Sequence, residues 1–371
     1  MEKKIYLSSP TTYGEELDYI HEAFNTNWVA PLGKNVDEFE KDVAKYIGIK
    51  YAAALSSGTA ALHLAYILAG IQEDDIVLCQ DLTFSATINP IIYQKAKPVF
   101  IDSERDTWNM DPQALEKAFE KYPNAKAVVV VNLYGVPAKL DEIRDICNRH
   151  HAILIEDAAE SLGSTYRGVQ TGTFGDISAL SFNGNKIITT SGGGMLLSHD
   201  ENIVKKARFL ATQAREPKPY YEHKEIGYNY RMSNIIAGIG RGQMIHLDEH
   251  VQKKTDIYRS YLDGFKDIKE ISMNPYLDYT KPNFWLSCLL LSKDSQVTPD
   301  DIRLKLSDLN IESRPIWNPM HKQPVFQNYD YIKLDESVSE DIFNRGLCLP
   351  SDIKNTSDDM KLIINTIKEM F

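Results

Sequence analysis

The sequence predicts an α/β fold in which a large domain, built on a mostly parallel sheet flanked by helices, is followed by a smaller C-terminal α+β domain. Three observations predict it. At 371 residues and 42.1 kDa the chain exceeds the size at which a single hydrophobic core normally stops growing. Short apolar runs alternate with helical patterns through its first half. These runs are apolar at successive positions, not at every second one, as strands are when helices cover both faces of a sheet.

The elements follow in order. "AAAL" reads as a strand and runs into "SSGTAALHLAYILAG", whose apolar spacing suits a helix ending at Gly70. "DIVLCQ", "KPVFIDS", "AKAVVVVNL", "AILIEDA" and "ISALSF" read as further strands, most of them separated by helical stretches. One such stretch, "DPQALEKAFEKY", has Asp111 as a cap and Pro112 at the first helical position, where the missing N–H costs nothing. After Gly194 the pattern changes. A Tyr-rich segment, "GYNYRMSN", precedes a helical zone from about residue 233 to about residue 265, and the last third is shorter-period and rich in turn signals. The expected division is 1–250 for the large domain with its N-terminal segment and 251–371 for the small one. No internal repeat is visible.

Hydrophobic residues make up 43% and charged residues 25%, which is ordinary for a folded protein. Acidic residues outnumber basic ones, 52 to 41, and a formal charge of -11 argues against a protein that coats nucleic-acid phosphates. It leaves room for a local basic pocket. The cysteines Cys79, Cys147, Cys288 and Cys348 are scattered and form no CxxC pair, as expected of reduced thiols. "MEKKIYLSSP" turns polar before an apolar leader develops, and no apolar run reaches the roughly 18 residues of a membrane span. The expectation is a soluble cytoplasmic protein without a membrane partner.

The chemistry centres on residues 181–195, "SFNGNKIITTSGGGM", which hold Lys186 among small and polar residues. "AILIEDA" ends in Glu156 and Asp157, and ligands gather at the carboxyl ends of parallel strands. Because "ISALSF" leads directly to Lys186, that lysine and Asp157 can occupy neighbouring strand-end loops. The pair suits pyridoxal phosphate, which needs a lysine for a Schiff base and an acid facing its ring nitrogen. "SSGTAA" offers a glycine and hydroxyls at a helix start, where free N–H groups and the helix dipole favour a phosphate. Ser181 adds a hydroxyl, and Phe84 in "DLTFSA" a ring for stacking. Each piece also has a plain reading: a surface lysine, a helix-capping aspartate, a core phenylalanine, a glycine turn.

Their joint order and wording resemble the DegT/DnrJ/EryC1/StrS sugar-nucleotide aminotransferases. The resemblance runs from "APLGKNVDEFE" through "SSGTAALHLA", "LTFSAT", "KPVFID", "VNLYG", "IEDAAESLG", "SFNGNKIITTSGGGM", "QAREP" and "GYNYRMSN" to "RPIWNPMHKQP". It implies the fold type I arrangement, with a seven-stranded, mostly parallel mixed sheet. Lys186 would form the Schiff base and move the proton, Asp157 would pair with the ring nitrogen, and Phe84 would stack on the ring. Gly58, Thr59 and Ser181 would hold the phosphate. Asn229 would reach the phosphate of a neighbouring subunit, making the active unit a homodimer with shared sites. Glu160 stands where many relatives carry glutamine or histidine, on the cofactor's hydroxyl side. Asn27, Trp28 and His321 lie in segments that close over substrate, and Arg215 and Arg231 could offer charge to a diphosphate. His321 also reads as a loop histidine and Arg215 as a helix-end cation.

The implied reaction takes an amino group from L-glutamate, passes through pyridoxamine 5′-phosphate, and delivers it to the C4 ketone of a nucleotide-linked 4-keto-6-deoxy sugar. "NGNKIITTSGGGM" resembles the branch that makes 4-amino-6-deoxy-N-acetylhexosamines, as in bacillosamine biosynthesis. A UDP sugar is the preferred substrate, with dTDP or GDP sugars open. The nearest enzyme rival, a nucleotide-sugar dehydratase, carries histidine where this chain has Lys186, and a non-catalytic homologue would have lost the site residues. Two motifs are set aside. "HLDEH" fits a zinc pattern without a third ligand and reads as a solvated helix face, so no metal is expected. "GIGRGQ" lacks the third spaced glycine and preceding strand of a dinucleotide loop, and its small residues suit close helix packing.

Overall fold

The computed structural model describes residues 3–371. Its main sheet has eight strands. They are β1 Tyr51–Leu55, β2 Ile76–Gln80, β3 Lys97–Ile101, β4 Ala127–Val131, β5 Ile153–Asp157, β6 Ile177–Ser181, β7 Gly194–Ser198 and β8 Tyr331–Ile332. Across the sheet the order is β1-β7-β6-β5-β4-β2-β3-β8, parallel except where β7 runs against β1 and β6. The expected seven strands are therefore joined by an eighth, from the last third of the chain, which pairs Tyr331 with Phe100 and Ile332 with Ile101.

The continuous apolar runs have the predicted cause. Within β2 and β4, Val77, Cys79 and Val129 join one buried cluster, while Leu78, Val128 and Val130 join another on the opposite face. Each fully buried valine or leucine contributes about 1.5–3 kcal/mol, so neither face can be surrendered to water. Helix α1, Gly58–Leu68, covers the first face, and α2, Pro112–Lys121, the second. Their starts are set locally. Ser57 accepts the Ala60 N–H at 3.0 Å, and Asp111 accepts the Gln113 N–H at 2.7 Å.

The helical zone after residue 233 breaks at His246 into α3, Asn234–Ile245, and α4, Leu247–Phe265. The glycines of "GIGRGQ" do allow close approach. A Cβ on Gly240 would meet the Phe39 ring at 2.6 Å, and one on Gly242 the Glu16 backbone at 2.7 Å. "HLDEH" is not a solvated face: Leu247 and His250 are both buried. His250 is 2% exposed and faces the loop after β6, with Ile187 O 2.7 Å from its Nδ1. Charged neighbours in sequence mask this buried side of the helix. Among the described residues no group of three or more His, Cys, Asp or Glu could hold a metal ion.

Helix α4 spans position 250, and its later residues Tyr258, Tyr261 and Phe265 enter a C-terminal core. That core lies against an antiparallel sheet in the order Ile271–Met273, Ser287–Leu291, Gly346–Leu349, Arg314–Pro315. The N-terminal segment is tied to it: Ile5 bridges to Ile311, and the Leu7 carbonyl accepts the Ser351 N–H at 2.7 Å. Among the described residues no helix is long and apolar enough to cross a membrane.

Candidate active site

Strands β5 and β6 end side by side, at Asp157 and Ser181, and the N-terminus of α1 opens beside them. These ends line a cavity of ≈ 550 Å³, together with Phe84, Glu160 and Lys186. The structure thus brings together Gly58, Thr59, Phe84, Asp157, Glu160, Ser181 and Lys186.

The two acids that end β5 part company because successive strand residues face opposite sides. Glu156 points away and is consumed by structure, accepting the Gly172 N–H at 2.7 Å, the Phe174 N–H at 2.9 Å and the Asn132 amide at 2.9 Å. Asp157 faces the cavity. Its Oδ2 accepts the Thr87 hydroxyl at 2.8 Å and its Oδ1 the Ala159 N–H at 3.1 Å. Burial pushes its carboxyl above the usual aspartate range, and those two donors oppose the rise.

Lys186 enters from the loop after β6. Its Nζ lies 3.7 Å from Glu160 Oε1 and 3.9 Å from the centre of the Trp285 ring. Burial lowers the amine below its ordinary value, while the Glu160 and Asp157 charges oppose the fall. Glu160 takes the Tyr134 N–H at 2.6 Å, from a backbone held in the left-handed region at φ 54. Burial pushes its carboxyl up to about 7, against the pull of Lys186.

The anion cradle is built by close approach. A Cβ on Gly58 would meet the Ser181 Cβ at 2.9 Å. One on Gly194 would come within 2.3 Å of the Ser57 carbonyl carbon, so the last glycine of "SGGG" lets the start of β7 touch the start of α1. With an amine, a carboxylate, a helix N-terminus and a hydroxyl around one cavity, the donor set fits pyridoxal phosphate. Phe84 is 55% exposed at the cavity wall, its ring 5.5 Å from that of Trp317.

Several lining residues went unread in the sequence. Thr87 supports Asp157, Tyr134 supports Glu160, and Trp285 lies under the lysine. Arg314 also lines the cavity, paired with Glu312 at 2.8 Å. Arg314 and Trp317 lie within "RPIWNPMHKQP", the stretch that also holds His321. Nothing local in "PNFWLSC" marks Trp285.

Six expected residues lie outside this cavity. Asn229 is exposed, bridged through its backbone to Thr212. Asn27 is exposed at φ 54, and Trp28 lines a separate groove with Asn234. Arg215 is exposed with its guanidinium over the Tyr221 ring. The last two are engaged by other side chains of this chain. Arg231 pairs with Glu40 at 3.0 Å and donates to the Ala54 carbonyl at 3.2 Å. His321 holds Asp81 at 2.8 Å and Glu340 at 3.1 Å and stacks on Tyr331. Burial lowers its basicity, but the two carboxylates overcome this and keep it above the usual histidine value. It joins the last third of the chain to the end of β2.

Comparison with known proteins agrees with this arrangement. Residues 10–368 match the DegT/DnrJ/EryC1/StrS aminotransferase family. The chain is 51% identical over 377 residues to the pyridoxal phosphate-dependent aminotransferase EpsN of Bacillus subtilis (strain 168), covering 100% of this chain and 97% of that protein. It is 36% identical over 370 residues to GDP-perosamine synthase of Caulobacter vibrioides, covering 99% and 98%. Helicobacter pylori PseC, an aminotransferase involved in the biosynthesis of pseudoaminic acid, shares the fold with a TM-score of 0.92 at 24% identity, covering 100% of this chain and 99% of that one.

Proposed function

The chain belongs to the DegT/DnrJ/EryC1/StrS aminotransferase family, a pyridoxal phosphate-dependent sugar aminotransferase by that membership, and from this we propose its substrates and residue roles. The amino donor is L-glutamate. The acceptor is the C4 ketone of a nucleotide-linked 4-keto-6-deoxy sugar, with UDP-2-acetamido-2,6-dideoxy-alpha-D-xylo-hexos-4-ulose preferred from the wording of residues 183–195. The active unit is a homodimer in which Asn229 serves the partner's site.

The observation that carries this reading is the meeting of the Lys186 amine, its side chain only 12% exposed, and the buried Asp157 carboxylate in one cavity above the start of α1. Pyridoxal phosphate supplies, when bound, the electron sink that makes a carbon-bound proton labile. Asp157 would hold its ring nitrogen, Phe84 its ring face, and Ser181 with the Gly58 and Thr59 N–H groups its phosphate. Lys186 Nζ is the proton carrier. An amine in water is protonated far above pH 7, but here burial lowers it and makes a neutral, accepting form accessible. Glu160, titrating near neutrality 3.7 Å away, can compensate the charge that Nζ gains. The Trp285 ring closes one side of the amine and keeps water from competing for it.

A GDP sugar is the second reading, favoured by the 36% identity to GDP-perosamine synthase. The test is a panel of UDP- and GDP-linked 4-keto-6-deoxy sugars incubated with holoprotein and L-glutamate. Stoichiometric 2-oxoglutarate and a new C4 amine by NMR are expected with one nucleotide series. Absence of 2-oxoglutarate with every acceptor would reject the reaction.

A further inference from the structure

Helix α4 turns two residues toward the lysine loop. Lys254 is 3% exposed, and His250 sits one turn before it on the same face. A narrow gap is lined by both of them together with Lys186 and Ile187.

Their hydrogen bonds converge on the residues flanking Lys186. Lys254 Nζ donates to the Trp285 carbonyl at 3.0 Å and to Ser8 Oγ at 3.1 Å. Trp285 and Ser8 in turn donate to one acceptor, the Asn185 carbonyl, through the indole N–H at 2.6 Å and the hydroxyl at 3.0 Å. On the other flank, His250 Nδ1 lies 2.7 Å from the Ile187 carbonyl, and the Tyr13 hydroxyl 2.8 Å from its Nε2. A carbonyl can only accept, so Nδ1 carries the hydrogen and Nε2 accepts from Tyr13. The carbonyls of the residues before and after Lys186 are thereby both tied to α4, one directly and one through Ser8 and Trp285.

We propose that Lys254, with His250, is a positioning residue for the Lys186 amine, holding the Asn185 and Ile187 carbonyls and the Trp285 ring so that Nζ keeps its place against Glu160. This rests on the reading of Lys186 as the reacting amine. A buried lysine is a costly way to fill space that a methionine would fill without desolvation. What methionine cannot do is donate to Ser8 and Trp285 together. Burial brings the Lys254 amine down to about 7, with Asp352 opposing, and a neutral amine has two hydrogens, matching its two acceptors.

The test compares Lys254→Met and Ser8→Ala with wild type in two states. In cofactor-free protein, trace acetylation with acetic anhydride between about pH 6 and pH 10, followed by peptide mapping, reports the midpoint and reactivity of Lys186 itself, with exposed lysines as internal standards. The expected result is a change of about threefold or more in Lys186 labelling in both variants, with exposed lysines and melting temperature near wild type. In holoprotein, kcat falls about tenfold while KM for the nucleotide sugar stays within about twofold, and the pH midpoint of the bound-cofactor absorbance shifts. Unchanged Lys186 labelling in both variants overturns the proposal. So does a general rise in labelling of other buried lysines, which would mean simple loosening. If Lys254→Met does not fold, Ser8→Ala decides by the same criteria. A wild-type protein that released no 2-oxoglutarate would refute the proposed reaction and leave the labelling result standing.

Discussion

Replacing Glu160 with glutamine should remove a pH dependence of stability that this one side chain creates. Burial carries its carboxyl from the ordinary 4.5 to about 7, so between those values the folded protein holds a proton that the unfolded chain has released. The sign follows: the stabilising contribution is complete below pH 4.5 and is lost as pH rises through 7. At ~1.4 kcal/mol per pH unit, the loss across that window is about 3 kcal/mol. Against a total stability of roughly 5–15 kcal/mol this is readily measured. Glutamine keeps an oxygen for the Tyr134 N–H but does not titrate. Urea unfolding of cofactor-free wild type and Glu160→Gln, from about pH 4.5 to about pH 8, cancels in the difference the titrating groups that Glu160 does not influence. The variant should gain about 3 kcal/mol on wild type as pH rises across the range. A difference that stays flat within about 0.5 kcal/mol would refute the buried, proton-holding carboxyl on which the charge compensation of Lys186 depends.

Two further outcomes are expected. Gly58→Ala should leave the melting temperature within a few degrees of wild type but weaken cofactor retention by about tenfold or more, measured by equilibrium dialysis, since the new methyl would meet Ser181 at 2.9 Å inside the cradle. Mixing inactive Lys186→Ala and Asn229→Ala subunits should recover about a quarter of wild-type turnover after random reassociation, because half the dimers then carry one intact site; no recovery above the separate variants would exclude a shared phosphate site.

Local signals made most of the large domain legible. "AKAVVVVNL" and "AILIEDA" are strands because both their faces are buried, and Asp111 and Ser57 cap helices whose first N–H groups they satisfy within three residues. Lys186 and Asp157 were readable for the same reason: each ends or follows a strand, and strand ends open onto the ligand side. What escaped depends on partners distant in sequence. Arg231 looks free until Glu40 is folded against it, His321 until Asp81 meets it, and Trp285 is an ordinary aromatic until the Lys186 amine lies over its ring. β8 has only two residues, Tyr331–Ile332, too few for any periodicity to show.

That short strand has a consequence for how the protein is made. β3 is apolar and pairs with β2 on one side, while its other side takes Asp330 O at the Phe100 N–H and Ile332 O at the Asp102 N–H. A ribosome delivers residues 97–101 long before residues 330–332, so from the completion of β7 until those last residues emerge β3 lacks the partner of its second edge. Nascent chains crowded on one messenger can pair through that border with each other, and the last strand to arrive is the one that closes it.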